Sequence, residues 1–398
     1  VLSGISLALS KLPGTADVVI WNAWVEQLNE HGFIAGYNAG VGYMIQPPLG
    51  MLLLWTSYEA PALLGIPKHL WPELGFTGYG VSLWLSLIVA TLLVLRFSKQ
   101  LWITIAFQGC FLLNSVVYGY FDLWGIIPLL LAVHAFSEDR DDTGVVWAVV
   151  ASLIKWQFLL LLPFIFLYVV RKEDAVAASW QKKLRPMARL VAPSAVVLGV
   201  VLLILGRGTV SAFLGGLDHP VLSGQALNTS WLLTWVLHVW RPESYGTLEE
   251  GLIEVVRTRD TRIMAVIQGL VIGSYGLALW RCGRQAATLN NLLRYALAGY
   301  LAYFLFNKGA HENHLVPAIL LAGCLAWYQP QWRWGLTLVA LLANVNLLVF
   351  YTLGGSDRGP SRVIAGVDST LPLAIFSVVA LGVLLIALLW QKREIHAP

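Results

Sequence analysis

Residues 144–170 read GVVWAVVASLIKWQFLLLLPFIFLYVV. The run is longer than the roughly 20 residues that a helix needs to cross about 30 Å of hydrocarbon, and Lys155, Trp156 and Gln157 stand at its middle. An ammonium fixed halfway across a bilayer is costly, so the run is read as two short tilted helices that meet at Lys155. Apolar segments at 78–95, 101–117, 120–136, 188–205, 263–280, 291–306, 314–328, 333–351 and 371–390 have the length and composition of further spans. Counting 144–170 as two crossings and leaving 47–66 out of the membrane gives an all-α polytopic protein of about twelve transmembrane helices.

Charge orients these spans, because Lys and Arg near span ends stay on the cytoplasmic side. The densest basic run holds Arg171, Lys172, Lys182, Lys183, Arg185 and Arg189, and is assigned to the inside. Arg96 and Lys99, Arg281 and Arg284, Arg333, and Lys392 and Arg393 then fall on the same side. If instead 47–66 crosses and 144–170 crosses once, Arg96 and Lys99 are left outside. The preferred order places 11–77, the turn 118–122, Lys155, the loop 206–262, the turn 307–313 and the loop 352–370 on the outer face.

Composition agrees with a membrane protein. Of 398 residues 58% are hydrophobic and only 12% charged, with a mean hydropathy of +0.70. The net charge of +4 does not point to nucleic acid. Cys110, Cys282 and Cys324 lie far apart in apolar surroundings, which suggests neither a disulfide framework nor a metal cluster. The chain starts at Val1 without a Met, and the apolar run to Leu9 is too short to span, so the first span is expected to be only partly present.

The polar stretch 11–48, KLPGTADVVIWNAWVEQLNEHGFIAGYNAGVGYMIQPP, holds Asp17 beside a Pro-Gly turn, followed by Ile20, Trp21, Trp24 and Leu28 at helical spacing. A carboxylate there can act as a general base toward an acceptor hydroxyl, or can be a helix cap. Asp122 opens a span after Gly119-Tyr120-Phe121; it is either an N-cap or a partner for Lys155 or an acceptor. Lys155 itself either snorkels or neutralises a phosphate. His311-Glu312-Asn313-His314, preceded by Asn307, Lys308 and Gly309, lacks the spacing of a zinc protease motif. Its histidines, with Lys308, suit a phosphate or pyrophosphate beside a helix expected to begin near Asn313. Trp231 to Trp240 reads as an interfacial helix within the loop 206–262.

Taken in order, Asp17 with Trp21, Trp24, Leu28, Gly32 and Tyr37, then Pro47-Pro48-Leu49, Gly119-x-x-Asp122, Lys155-x-Gln157 with Pro163, Asn228-x-Ser230-Trp231, and His311-Glu312-x-His314 ahead of Pro317 resemble the bacterial relatives of the GPI mannosyltransferase. More distantly they resemble the dolichyl-phosphate-glucose glucosyltransferases. Both belong to the GT-C superfamily of integral membrane glycosyltransferases. The resemblance implies a GT-C fold with large first and fourth external loops. It divides the chain into a transmembrane module 1–205 with external loop 11–77, an external loop 206–262 and C-terminal helices 263–398.

The resemblance also implies an inverting transfer of one hexose, mannose before glucose, from a polyprenyl-phosphate carrier to a lipid- or glycan-linked acceptor. Asp17 becomes the catalytic base; Lys155, His311 and Lys308 become donor-phosphate ligands; and Asp122, Gln157, Glu312, His314, Trp21, Trp24, Asn228 and Trp231 shape the pocket. The family's Gly-Gln before the second acid is Gly119-Tyr120 here, and its His-Glu-Arg or His-Glu-Lys is His311-Glu312-Asn313, which assigns the missing cation to Lys308. The first loop has no Asp-x-Asp pair, so no metal and no other cofactor is expected. A monomer in a bacterial plasma membrane, its site facing the periplasm, completes the expectation. The rivals are a GT-C glycan ligase or polymerase, and a lipid-linked solute transporter or flippase using Lys155 and the histidines as relay groups.

Overall fold

The computed structural model describes residues 2–40, 44–63, 78–174, 180–218, 220–351 and 362–390. Residues 64–77 of the expected first loop, 352–361 of the last loop, and Lys392 and Arg393 lie outside the described residues. The protein is 81% helical. Among the described residues five helices are long and apolar enough to cross a membrane: Gly78–Ser98, Val191–Leu217, Thr261–Arg284, Pro330–Phe350 and Thr370–Trp390. Their outward faces are apolar, with Leu203, Ile272 and Val379 more than half exposed, as expected where lipid rather than water is the neighbour. The chain divides into two compact units, one made of 1–162, 173–219 and 347–360, the other of 163–172, 220–346 and 361–398.

The first unit opens with α1 (Leu2–Leu9), α2 (Ala16–His31), α3 (Phe33–Ala39) and α4 (Pro48–Leu63). Then come α5 (Gly78–Ser98), α6 (Leu101–Phe111), a π-helical turn Leu112–Val117, α7 (Asp122–Ser137) and α8 (Asp141–Ile154). α7 and α8 form a tight antiparallel hairpin, with α5 against α7. Two glycines set how closely the elements approach. A Cβ on Gly50 of α4 would run into the Ile154 carbonyl, and one on Gly125 of α7 into the Phe158 ring. The run 144–170 is broken at its lysine: Lys155 is extended (φ −145°, ψ 124°), with a 3-10 turn Trp156–Leu161 after it.

α10 (Trp180–Leu217) overturns the expected boundary at 205: helix continues through Gly206 and Gly208 to Leu217, bent at Leu205 (φ −124°, ψ 20°). Asn38 of α3 explains the bend. Its Nδ2 donates to the Ile204 carbonyl at 3.0 Å and its Oδ1 accepts from the Gly208 amide at 3.0 Å. Those two backbone groups would pair with each other in a straight helix, so an amide side chain inserted into the ladder both kinks it and satisfies it.

The second unit holds most of α9 (Leu162–Asp174), α11 (Thr229–Trp240), α12 (Thr261–Arg284), α13 (Leu289–Phe306), α14 (Val316–Tyr328), most of α15 (Arg333–Phe350), a two-stranded hairpin, β1 (Val363–Ile364) with β2 (Val367–Asp368), and α16 (Thr370–Trp390). α13 is its hub, packed on α12, α14 and α16. The stretch 220–260 is ordered by Leu222, Leu237, Val256 and Ile267, which form a small apolar core. Asp368 ties it to the hairpin by accepting from the Ile253 amide at 3.0 Å. Side-chain oxygens start three helices: Asn228 on the Trp231 amide, Asp260 on Arg262, and Thr288 on Asn291.

Candidate functional site

In the first unit the construction begins with two turns packed back to back. Gly14 (φ +77°) and Gly119 (φ +75°) adopt left-handed backbone that only glycine holds without strain, and a Cβ on either would sit 2.7 Å from Val18 Cγ2. The Thr15 amide donates to the Tyr118 carbonyl at 3.1 Å, and Tyr79 donates from its hydroxyl to the Gly119 carbonyl. The start of α2 is thereby pinned to the turn before α7. One helical turn on from Asp17, Trp21 lies edge-on to Tyr79 and Tyr120, and 4.8 Å from Phe121.

Beneath Phe121 lies an ion pair. Lys155 Nζ is 3.2 Å from Asp122 Oδ1, with side-chain exposures of 4% and 1%. The same ammonium sits 4.6 Å from the Phe121 ring centre. Asn114 Nδ2 donates to Asp122 Oδ2 at 3.3 Å, and the Asn114 carbonyl accepts from the Tyr120 amide at 2.9 Å. The widened π turn at 112–117 carries Asn114 to this position. Asp122 is therefore not an N-cap: Phe121 occupies that place and no side chain caps the helix. Lys155 does not snorkel; the extended break at 155 aims it into the protein, onto Asp122.

The Thr15–Tyr118 contact sets the first turn of α2, which carries Asp17, against the turn that leads into Asp122. The two carboxylates differ in surroundings. Asp122 is buried and paired with Lys155, whereas Asp17 is half-exposed in the first turn of α2, where the helix N-terminus favours its ionised form. Nearby, burial pushes the Tyr118 hydroxyl up to about 12, so it stays protonated and donates to the Tyr351 carbonyl at 3.0 Å. Gln157 is half-buried in the 3-10 turn after Lys155.

In the second unit, residues 307–314 are held by backbone. The Gly309 amide donates to the Leu222 carbonyl at 3.0 Å, and the Gly224 amide to that of Ala310 at 2.8 Å. Gly224 lies flush on the His311 imidazole, where a Cβ would meet Nδ1 at 2.5 Å. His311 is extended, and a 3-10 turn Glu312–Leu315 precedes α14, so the helix starts at Val316 rather than near Asn313. His311 keeps 41% of its side chain exposed, 3.8 Å from the buried Glu312 carboxylate. Tyr303 holds its hydroxyl 3.2 Å from His314 Nδ1, and Tyr300 donates to the His314 carbonyl at 2.9 Å. Lys308 is half-exposed next to this segment.

The tryptophans expected to shape the pocket are core residues. Trp21, Trp24 and Trp231 are 3%, 8% and 0% exposed, and Trp231 donates its ring N–H to Thr370 at 2.9 Å. These rings have no open face for a sugar. On α2 the buried face is Trp21, Trp24, Val25 and Leu28, with Ile20 on the exposed side. Asn228 shapes backbone instead of a pocket: besides capping α11, it donates to the Phe304 carbonyl at 2.9 Å. Asn346 escaped the sequence reading. It donates to the Glu312 carbonyl at 2.5 Å and accepts from the Leu227 amide at 2.7 Å; its signal was an amide inside an otherwise apolar helix. No family model matches this chain, and no curated protein matches it.

Proposed function

We propose that the chain is an inverting membrane glycosyltransferase with a GT-C fold of about twelve spans. It moves a hexose, mannose in the first instance, from a polyprenyl-phosphate carrier to a hydroxyl of a lipid- or glycan-linked acceptor at the outer face. The observation that carries this reading is the place of Asp17, half-exposed in the first turn of α2 and held beside the turn that leads to the buried Asp122–Lys155 pair. Asp17 accepts the acceptor hydroxyl proton as that oxygen attacks the anomeric carbon. The bond from that carbon to the phosphate oxygen breaks, and the polyprenyl phosphate leaves with the electron pair.

Asp122 cannot share the base role while an ammonium and an amide occupy its oxygens. In this reading Lys155 is a positioning residue whose charge is committed to Asp122, and the proposal moves it out of direct phosphate contact. Labelled polyprenyl-phosphate mannose and glucose, supplied to purified protein with membrane lipids and glycans, should be consumed by the wild type and not by Asp17→Asn. Turnover by Asp17→Asn at the wild-type rate would sink the assignment.

Transport is a second reading with one observation in its favour, the broken backbone at Lys155 beside a buried ion pair, a combination common where transporters bind their cargo. Flux of a labelled lipid-linked sugar across proteoliposomes without its chemical conversion would select it.

A further inference from the structure

A separate feature of the second unit lies at the opposite end of its helices from residues 307–314. The C-terminal turns of α9, the last turn of α12 and the start of α13 border a small, open cleft lined by Leu167, Tyr168, Arg171, Cys282, Thr288 and Asn291, among others, with no acidic residue in its lining. Arg171 Nη1 is buried there with no hydrogen-bond partner among the described residues. A buried guanidinium N–H left unmade costs more than an ordinary lost hydrogen bond, so its presence in a cleft points to an occupant that accepts from it.

The surrounding field selects the sign of that occupant. Arg281 stacks on the Trp390 ring at 3.8 Å, and its Nε is likewise buried and unpartnered among the described residues. α13 directs its N-terminus into the same cleft: Thr288 accepts from the Asn291 amide and so caps the helix, and the amides of the first turn add to the positive end. A guanidinium fork beside helix amides matches the oxygens of a phosphate.

We propose that this cleft binds a phosphate-bearing anion, with Arg171 as its principal contact. The position at the polar end of the candidate span Thr261–Arg284 suits the headgroup of an anionic phospholipid; a soluble phosphate ester offers the same chemistry. The site makes no use of Asp17, so it stands or falls independently of the transferase reading.

The test uses the full chain in nanodiscs of phosphatidylcholine with or without phosphatidylglycerol, read by retained lipid in native mass spectra and by thermal stability. Inorganic phosphate and glycerol phosphate are titrated in parallel arms. Arg171→Gln should weaken retention or protection about tenfold, one charge-assisted contact. Arg284→Gln, at the same end but outside the cleft lining, should leave it unchanged. Arg171→Lys keeps the charge and loses the fork, and should bind several-fold more weakly than wild type; it decides the matter if Arg171→Gln does not fold.

Arg171-dependent retention of phosphatidylglycerol identifies a lipid site. Arg171-dependent protection by the soluble phosphates alone identifies a soluble ligand. Equal effects of the Arg171 and Arg284 variants, or no effect of either Arg171 variant, would overturn the proposal and reduce these arginines to orienting charges.

Discussion

Among the single residues, the Asp122–Lys155 pair has the largest foreseeable energetic effect. Two charges buried together gain little over a well-packed neutral pair, but removing one strands the other. Lys155→Met and Asp122→Asn should each cost about 3–5 kcal/mol, and the double variant should recover most of that loss. A double-variant cycle of thermal or denaturant unfolding checks this; additive losses would mean that the pair does not couple. Asp17→Asn belongs to the opposite case. It removes a favourable charge from a helix start and should cost no more than about 1 kcal/mol, while transfer should fall about 100- to 10,000-fold, the range of a positioned general base. The two acids were legible as candidates from their places beside turns. A pairing of Asp122 with Lys155 stood among the alternatives, but choosing it over a helix cap needed the contact itself, made between residues 33 positions apart.

The elements owe their placement to residues with little or no side chain. Gly119→Ala adds a Cβ at positive φ, 2.7 Å from Val18 Cγ2, and should destabilise the protein by about 1–3 kcal/mol. Adding Val18→Ala should return the steric part and leave the backbone part; an unchanged melting temperature in Gly119→Ala would show that the turn contact is not made. Asn346→Leu should cost about 1–3 kcal/mol by orphaning the Leu227 amide and the Glu312 carbonyl, with faster amide exchange at Leu227 as the local readout. Sequence pattern located the helix break at Lys155 because length and a charge agreed there. It ended α10 twelve residues early because Gly206-Arg207-Gly208 reads as a loop, and only the inserted amide of Asn38 keeps that backbone satisfied within a bent helix. The tryptophans expected in the pocket went astray for another reason: a ring that lines a pocket and a ring that fills a core have the same spacing, and burial separates them.

For the whole molecule, composition pointed to a helical membrane protein, and five long apolar helices among the described residues are consistent with it. The number of crossings rests on charge distribution. Reporter fusions after Lys99, Arg140, Arg284 and Arg333 should all report the cytoplasm, and fusions within 206–262, the outside. A periplasmic signal after Lys99 would instead support 47–66 as a span and 144–170 as a single crossing.

In the proposed twelve-span order, the contact between Asp122 and Lys155 also bears on how the protein enters the bilayer. These residues stand at the two open ends of the α7–α8 hairpin, so the hairpin carries its opposite charges as a closed couple. Against a membrane potential, moving one elementary charge across involves about 2.3 kcal/mol per 100 mV; for the couple moving together the two contributions cancel. Inserted as one piece, the two charges are therefore indifferent to the voltage across the membrane, whereas the hairpin of either single variant would have to work with or against it.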